Sequence, residues 1–228
     1  MFFGLIGENQ KPPIVTNGLV LWLDGHSFSN SPPTTTWVDN SGNNHNGIPA
    51  NFGYTSTSGS DGGNGVAFDG VDDNIPIPSL VNTAMPQTFT FEIMLSTKRT
   101  SGAAFDTIGG YDYNNGFVLY MAQSGLVPTV RVFTNGVATN ISGANLITGV
   151  KTHIVVTYDG NTLSIYSNGI LISSALATGT FLTPTNNYCL GYAADRPANF
   201  WYGNIYMNRL YNRALSASEV LKNYNASK

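Results

Sequence analysis

Three dipeptides, Asn135-Gly136, Asp159-Gly160 and Asn168-Gly169, set the tightest limit on how this chain folds. Each separates two short runs rich in β-branched and aromatic residues: 131–134 from 137–140, 153–158 from 162–167, and 162–167 from 170–173. A two-residue type I′ turn needs positive φ twice, which Asn-Gly and Asp-Gly tolerate best. Successive hairpins of this kind build an antiparallel meander. Upstream, Thr88 through Leu95 puts Phe89, Phe91, Ile93 and Leu95 on one face at period two, the mark of a strand over a core. One helix competes with this pattern, and it is short. Ser216-Ala217-Ser218-Glu219 is a capping box, followed by an apolar stripe of Val220, Leu221 and Tyr224.

Composition agrees with an all-β chain. Charged residues make up 10% of the 228, against about 25% in an average domain, so Asn, Ser, Thr and Gly must supply the polar surface. A β-sandwich often reaches this length as one domain. The expected organisation is an extended arm over 1–17 and a single sandwich domain over 18–228. The net charge is −3 and no Lys/Arg run occurs, which argues against a nucleic-acid partner. No stretch approaches the roughly 18 apolar residues of a membrane helix, so no membrane partner is expected. Cys189 is the only cysteine; an intramolecular disulfide is excluded, and its strand-like setting suits a small core hydrophobe. The first residues lack a basic n-region, so synthesis in a cytoplasm without a signal peptide is the expectation.

The arm carries an apolar tip, Phe2, Phe3, Leu5 and Ile6, ahead of a Pro12-Pro13 pair that favours extended geometry. Either it frays as an ordinary terminus or its tip docks into a partner protein. After a buried strand at 19–23, residues 25–65 are dense in turn formers. That span is too long for one connection, and Trp37 and Phe52 are its expected anchors in the core.

Five segments, taken in order, resemble the laminin-G-like (concanavalin A-like lectin/glucanase) superfamily. They are Phe68-Asp69-Gly70-Val71-Asp72-Asp73, the 88–95 strand, Lys151 through Gly160, Leu163 through Gly169, and Leu210-Tyr211-Asn212-Arg213-Ala214-Leu215-Ser216. The resemblance covers nearly the whole chain and implies a jelly-roll sandwich of two antiparallel sheets with one short C-terminal helix. It implies no single activity, because the fold carries lectins, adhesion modules, hydrolases and lyases. Two further motifs, Gly18 through Asp24 and Trp37-Val38-Asp39-Asn40-Ser41-Gly42-Asn43-Asn44, are similar to the version of this domain common in tailed-bacteriophage virion proteins.

Catalytic motifs are missing. The glucanase version of the fold is expected to carry Glu-x-Asp-x-x-Glu on one strand, with paired carboxylates serving as acid and nucleophile or base. This chain has three glutamates, Glu8, Glu92 and Glu219, and Met94 stands where a second acid should follow Glu92. His153 occupies a strand position suited to packing. No nucleophile elbow, zinc motif or phosphate loop occurs, and the expectation is a protein without enzymatic activity. For calcium, the resemblance points to Asp24, Asp39 and Asn43, with Asn40 and Asn44 beside them. Relatives add an acid in the final strand, where Tyr206 and Met207 stand here. The preferred reading is that these side chains cap turns, leaving no cofactor apart from a structural calcium ion as the alternative. Asp69, Asp72 and Asp73 lack EF-hand spacing and read as structural.

Glycan recognition needs an aromatic face for sugar C–H groups and polar side chains around it. Two loops have that composition: Tyr111-Asp112-Tyr113-Asn114, and Tyr192 with Asp195, Arg196 and Asn199. The leading expectation is a non-enzymatic virion surface protein of a tailed phage, decorating a capsid or associated with a tail. Its loops would bind cell-surface glycans, its arm would contact other virion proteins, and homo-oligomers such as trimers suit that setting. The alternative is a cellular carbohydrate-binding lectin or adhesion module, and third a glycoside hydrolase or lyase.

Overall fold

A computed structural model describes residues 13–80, 87–101, 105–122, 125–181, 184–196 and 198–228. Four strands open the chain: β1 (Leu19–Asp24), β2 (Gly59–Ser60), β3 (Val66–Asp69) and β4 (Ile75–Ile77). The middle holds β5 (Phe89–Thr97), β6 (Thr107–Asp112), β7 (Asn115–Met121), β8 (Pro128–Thr134) and β9 (Val137–Ser142). Then come β10 (Thr152–Tyr158), β11 (Thr162–Ser167), β12 (Ile170–Leu176), β13 (Tyr188–Leu190) and β14 (Tyr202–Tyr211), before helix α1 (Ala217–Ser227). They form two antiparallel sheets, the sandwich expected. The eight-stranded sheet runs β12-β11-β10-β5-β14-β3-β2, with β1 also paired to β14; the six-stranded sheet runs β4-β13-β6-β7-β8-β9.

The hairpin turns sit where the dipeptides place them. Asn135 and Gly136 adopt φ of 48° and 78°, and Asn168 and Gly169 adopt 50° and 79°, as type I′ geometry requires, whereas at Asp159-Gly160 only the glycine has positive φ, 99°. The expected meander is split, because β8 and β9 pair in one sheet and β10, β11 and β12 in the other. Between the sheets, alternate residues interdigitate. Phe89, Phe91, Ile93 and Leu95 from β5 meet Phe117, Leu119 and Met121 from β7, with Phe89 and Phe117 stacked at 4.4 Å. The 25–65 span is fixed from within: Trp37 and Phe52 are buried, Phe28 packs edge-on to Trp37 at 5.7 Å, and the Trp37 indole donates to the Asp24 carbonyl. Cys189 is a core residue whose thiol is pushed up to about 12 by burial.

The outer face of the eight-stranded sheet holds a buried ionic network. Glu92 accepts from His153 Nε2 at 2.8 Å, Arg209 Nη1 at 3.0 Å and Asn223 Nδ2 of α1 at 2.8 Å. Asn223 Oδ1 in turn accepts from the Val15 amide, and Tyr211 donates its hydroxyl to the Val15 carbonyl. The arm is therefore tied down from Val15 onward. Its apolar tip, Phe2, Phe3, Leu5 and Ile6, lies outside the described residues. Helix α1 has the expected capping box, but its buried face uses Val220 and Asn223, while Leu221 is exposed. An amide bonding a buried carboxylate replaces the apolar contact that the stripe implied.

Candidate functional site

The two loops singled out for glycan contact meet at one end of the six-stranded sheet. Asp195 joins them: its carboxylate accepts from the Tyr113 amide at 2.9 Å, the Asn114 amide at 3.1 Å and the Asn114 side chain at 3.3 Å. Strand register decides which side chains face out beside them. In β7, Phe117, Leu119 and Met121 point into the core, so Val118 and Tyr120 face outward. Arg131 of β8 pairs with Val118 and shares that face.

These residues build an aromatic platform with two guanidinium groups. Phe105 stacks on Tyr120 at 4.2 Å and 15°, and both rings lie within 6 Å of Tyr113, at 5.4 and 5.7 Å. The Arg196 and Arg131 guanidinium carbons lie 3.9 and 4.2 Å from the Tyr113 ring centroid. Arg131 Nε also donates to the Tyr113 carbonyl at 2.7 Å. Among the described residues neither arginine forms an ion pair, so ring faces rather than carboxylates hold them. Burial, followed by the neighbouring Tyr113, pushes the Tyr120 hydroxyl up to about 12, so it remains a neutral donor. Tyr113, Arg131 and Arg196 are partly exposed and Asn114 is exposed. The surface presents the partly exposed Tyr113, the two arginines over its ring and the Asn114 amide together.

Tyr111 is a correction to the sequence reading. It is 3% exposed and packs edge-on to Phe117 and Tyr188 in the core, so its ring offers nothing to a surface ligand. The physical cause is a register shift in β6 between Thr107, opposite Tyr120, and Gly109, opposite Leu119. An extra residue there turns the following side chains to the other face, and Tyr111 goes inward with Gly109. Asp112 is likewise buried; burial raises its pKa, and Asn186 donates to it at 2.7 Å. Tyr192 stacks on Phe200 at 5.1 Å, and Asn199 contributes its carbonyl to the Thr107 amide. Tyr113, Asn114, Asp195 and Arg196 are thus brought together. Phe105, Tyr120 and Arg131 complete the platform and were absent from the sequence reading.

The three residues named for calcium each bond protein groups nearby. Asp39 accepts from the amides of Trp22, Ser41 and His45 and from the Ser41 hydroxyl. Burial alone would raise its pKa, but these donors outweigh that and lower it. Asp24 caps a short turn and holds His26 at 2.7 Å, and Asn43 donates to the carbonyls of Leu19 and Val20. All three side chains are thus engaged by backbone groups. Among the described residues, Asp69, Asp72 and Asp73 bring three carboxylates close together. There Asp73 is committed to the Ser58 hydroxyl and the Asp69 amide.

The family model described as the concanavalin A-like lectin/glucanases superfamily matches residues 68–221. The chain belongs to that superfamily. The match spans the sandwich from β3 to α1 and leaves the phage-like motifs at 18–24 and 37–44 outside it. No curated protein sequence matches this superfamily member. Among solved structures it is similar to the binding domain of Paraclostridial Mosquitocidal Protein 1, at 16% identity and a TM-score of 0.65, over 92% of this chain and 52% of that one. The receptor binding domain of botulinum neurotoxin C/D mosaic serotype aligns over 93% and 52%, at 11% identity and a TM-score of 0.68. The serotype D ligand binding domain, solved in complex with N-acetylneuraminic acid, aligns over 93% and 52%, at 13% identity and a TM-score of 0.69. The chain spans about half the length of these structures, and at such identities the likeness is one of fold.

Proposed function

We propose that this superfamily member is a non-enzymatic carbohydrate-binding module whose site is the platform around Tyr113. The observation that carries the reading is the Tyr113 ring held at 3.9 and 4.2 Å by two arginines that form no ion pair among the described residues, beside the stacked Phe105 and Tyr120. Guanidinium groups pinned on an aromatic ring, with a side-chain amide beside them, donate to the hydroxyls or carboxylate of a sugar. The carboxylates of Asp106, Asp112 and Asp195 already serve the scaffold, through Arg99, Asn186 and the 113–114 amides in turn, which favours binding over hydrolysis. The neurotoxin serotype D domain was solved with N-acetylneuraminic acid and the DC binding domain with SialylT, so similar folds occur in sugar-binding proteins.

The setting we favour is the surface of a tailed-phage virion, supported by the resemblance of the 18–24 and 37–44 motifs and by the apolar arm tip. A glycan array, run with and without a calcium chelator, tests the module. Specific binding that disappears in Tyr113→Ala supports it; a blank array in both conditions overturns it. Virion incorporation tests the setting. Removing residues 1–12 spares the Val15 contacts and should abolish incorporation while leaving the melting temperature unchanged.

A further inference from the structure

The opposite face of the sandwich carries a second cavity, of about 780 Å³, large enough for a sugar unit. It lies over β1, β5 and β14, with the end of α1 and residues Pro13 and Ile14 as one wall. Its charge runs against the chain. The protein is net −3, yet this lining holds Lys151 and Lys228, together with Arg209 that is already paired to the buried Glu92, against the carboxylate of Asp24, which His26 engages at 2.7 Å.

Aromatic rings hold all three cations. Lys151 Nζ lies 4.0 Å from the Tyr206 centroid, the Arg209 guanidinium carbon 5.2 Å from Trp22, and Lys228 Nζ 5.4 Å from Tyr224. Arg209 is 4% exposed and spends Nη1 on Glu92, but among the described residues its buried Nε and the Trp22 indole nitrogen have no hydrogen-bond partner. A buried donor left without a partner is unfavourable, so an acceptor brought to it is favoured. The cation surplus sets the sign of that acceptor. The tyrosine walls and the amides of Asn64 and Asn168 suit a hydroxylated ring better than a bare anion.

We propose that this cavity is a second binding site, for a carboxylate-bearing saccharide such as a uronate or a nonulosonate. It is separate from the Tyr113 platform and does not depend on it. Trp22 supplies the readout, because Trp37 and Trp201 are fully buried while Trp22 is partly exposed.

The full chain is titrated with methyl glucuronide and with methyl N-acetylneuraminide while tryptophan fluorescence is followed. Methyl glucoside, the methyl ester of the glucuronide and sodium sulfate serve as controls. A saturable change is expected with at least one acidic sugar, weakened at least tenfold in Lys151→Ala and preserved in Tyr113→Ala. Lys151 is exposed, so its replacement leaves the fold intact, as a thermal melt will verify. The proposal is overturned by no saturable change with either acid, by an equal affinity for sulfate or the ester, or by an unaltered response in Lys151→Ala. Loss of the signal in Tyr113→Ala would also overturn it, by placing the acid on the platform.

Discussion

The Asp195 carboxylate accepts the backbone amide of Tyr113 at 2.9 Å across 82 residues of sequence, and this bond fixes one loop of the platform to the other. Asp195→Ala removes that acceptor and frees three donors, two of them backbone amides. Because the group is partly exposed, the stability cost should be small, about 1 kcal/mol. The effect on recognition should be larger: roughly tenfold weaker binding of whichever glycan the array identifies, about 1.4 kcal/mol. Calorimetric titration and a thermal melt on the same sample separate the two.

Glu92 is the ionic keystone of the opposite face. Burial alone would push its carboxyl up, but the hydrogen bond from His153 and the charge of Arg209 outweigh this and hold it below the usual 4.5. A depressed carboxylate contributes stability above its unfolded pKa and loses it as pH falls through the folded value. Wild type should therefore lose stability as pH drops below about 4.5, and Glu92→Gln should flatten that slope. At pH 7, Glu92→Ala leaves Arg209 buried without its counter-charge and should cost about 3–5 kcal/mol by chemical denaturation.

Asp73 titrates in the other direction. Burial raises it to about 6, against the lowering effect of the Ser58 hydroxyl and the Asp69 amide. A raised carboxyl favours folding below its unfolded pKa of about 3.8 and loses that contribution as pH climbs through about 6. Asp73→Asn should remove the decline between pH 4 and 6. Melting temperatures of Glu92→Gln and Asp73→Asn across pH 3–7 should move apart, one variant altering the acid limb and the other the middle of the profile.

Asp39 holds its loop through three backbone amides and the Ser41 hydroxyl. Asp39→Ala should cost about 3 kcal/mol by stranding the Trp22, Ser41 and His45 amides, to the same extent with calcium or chelator present. A cost that appears only when calcium is present would return the metal reading to this loop.

The parts of this fold that local chemistry dictates could be read directly from the residues. Asn135-Gly136 and Asn168-Gly169 tolerate the two positive φ angles that a tight hairpin turn demands, and Ser216 with Glu219 closes a capping box within one turn. The platform needed information that spacing alone does not hold. Tyr111 and Tyr113 look equivalent two residues apart, but a one-residue shift near Gly109 sends Tyr111 inward, and Tyr113 lies beyond the strand end. Tyr120 and Arg131 become neighbours of Tyr113 only once β7 and β8 are paired in register. The alternation of Phe117, Leu119 and Met121 was the available sign that Tyr120 faces out. The Glu92 network similarly draws on β5, β10, β14 and α1, which no linear motif joins.

The glycan array compared between wild type and Tyr113→Ala tests the central claim most directly, with circular dichroism verifying that both are folded. The platform account predicts specific glycan binding by the wild type and none by the variant. Equal binding by both proteins would contradict the site, and no binding by the folded wild type would contradict the function.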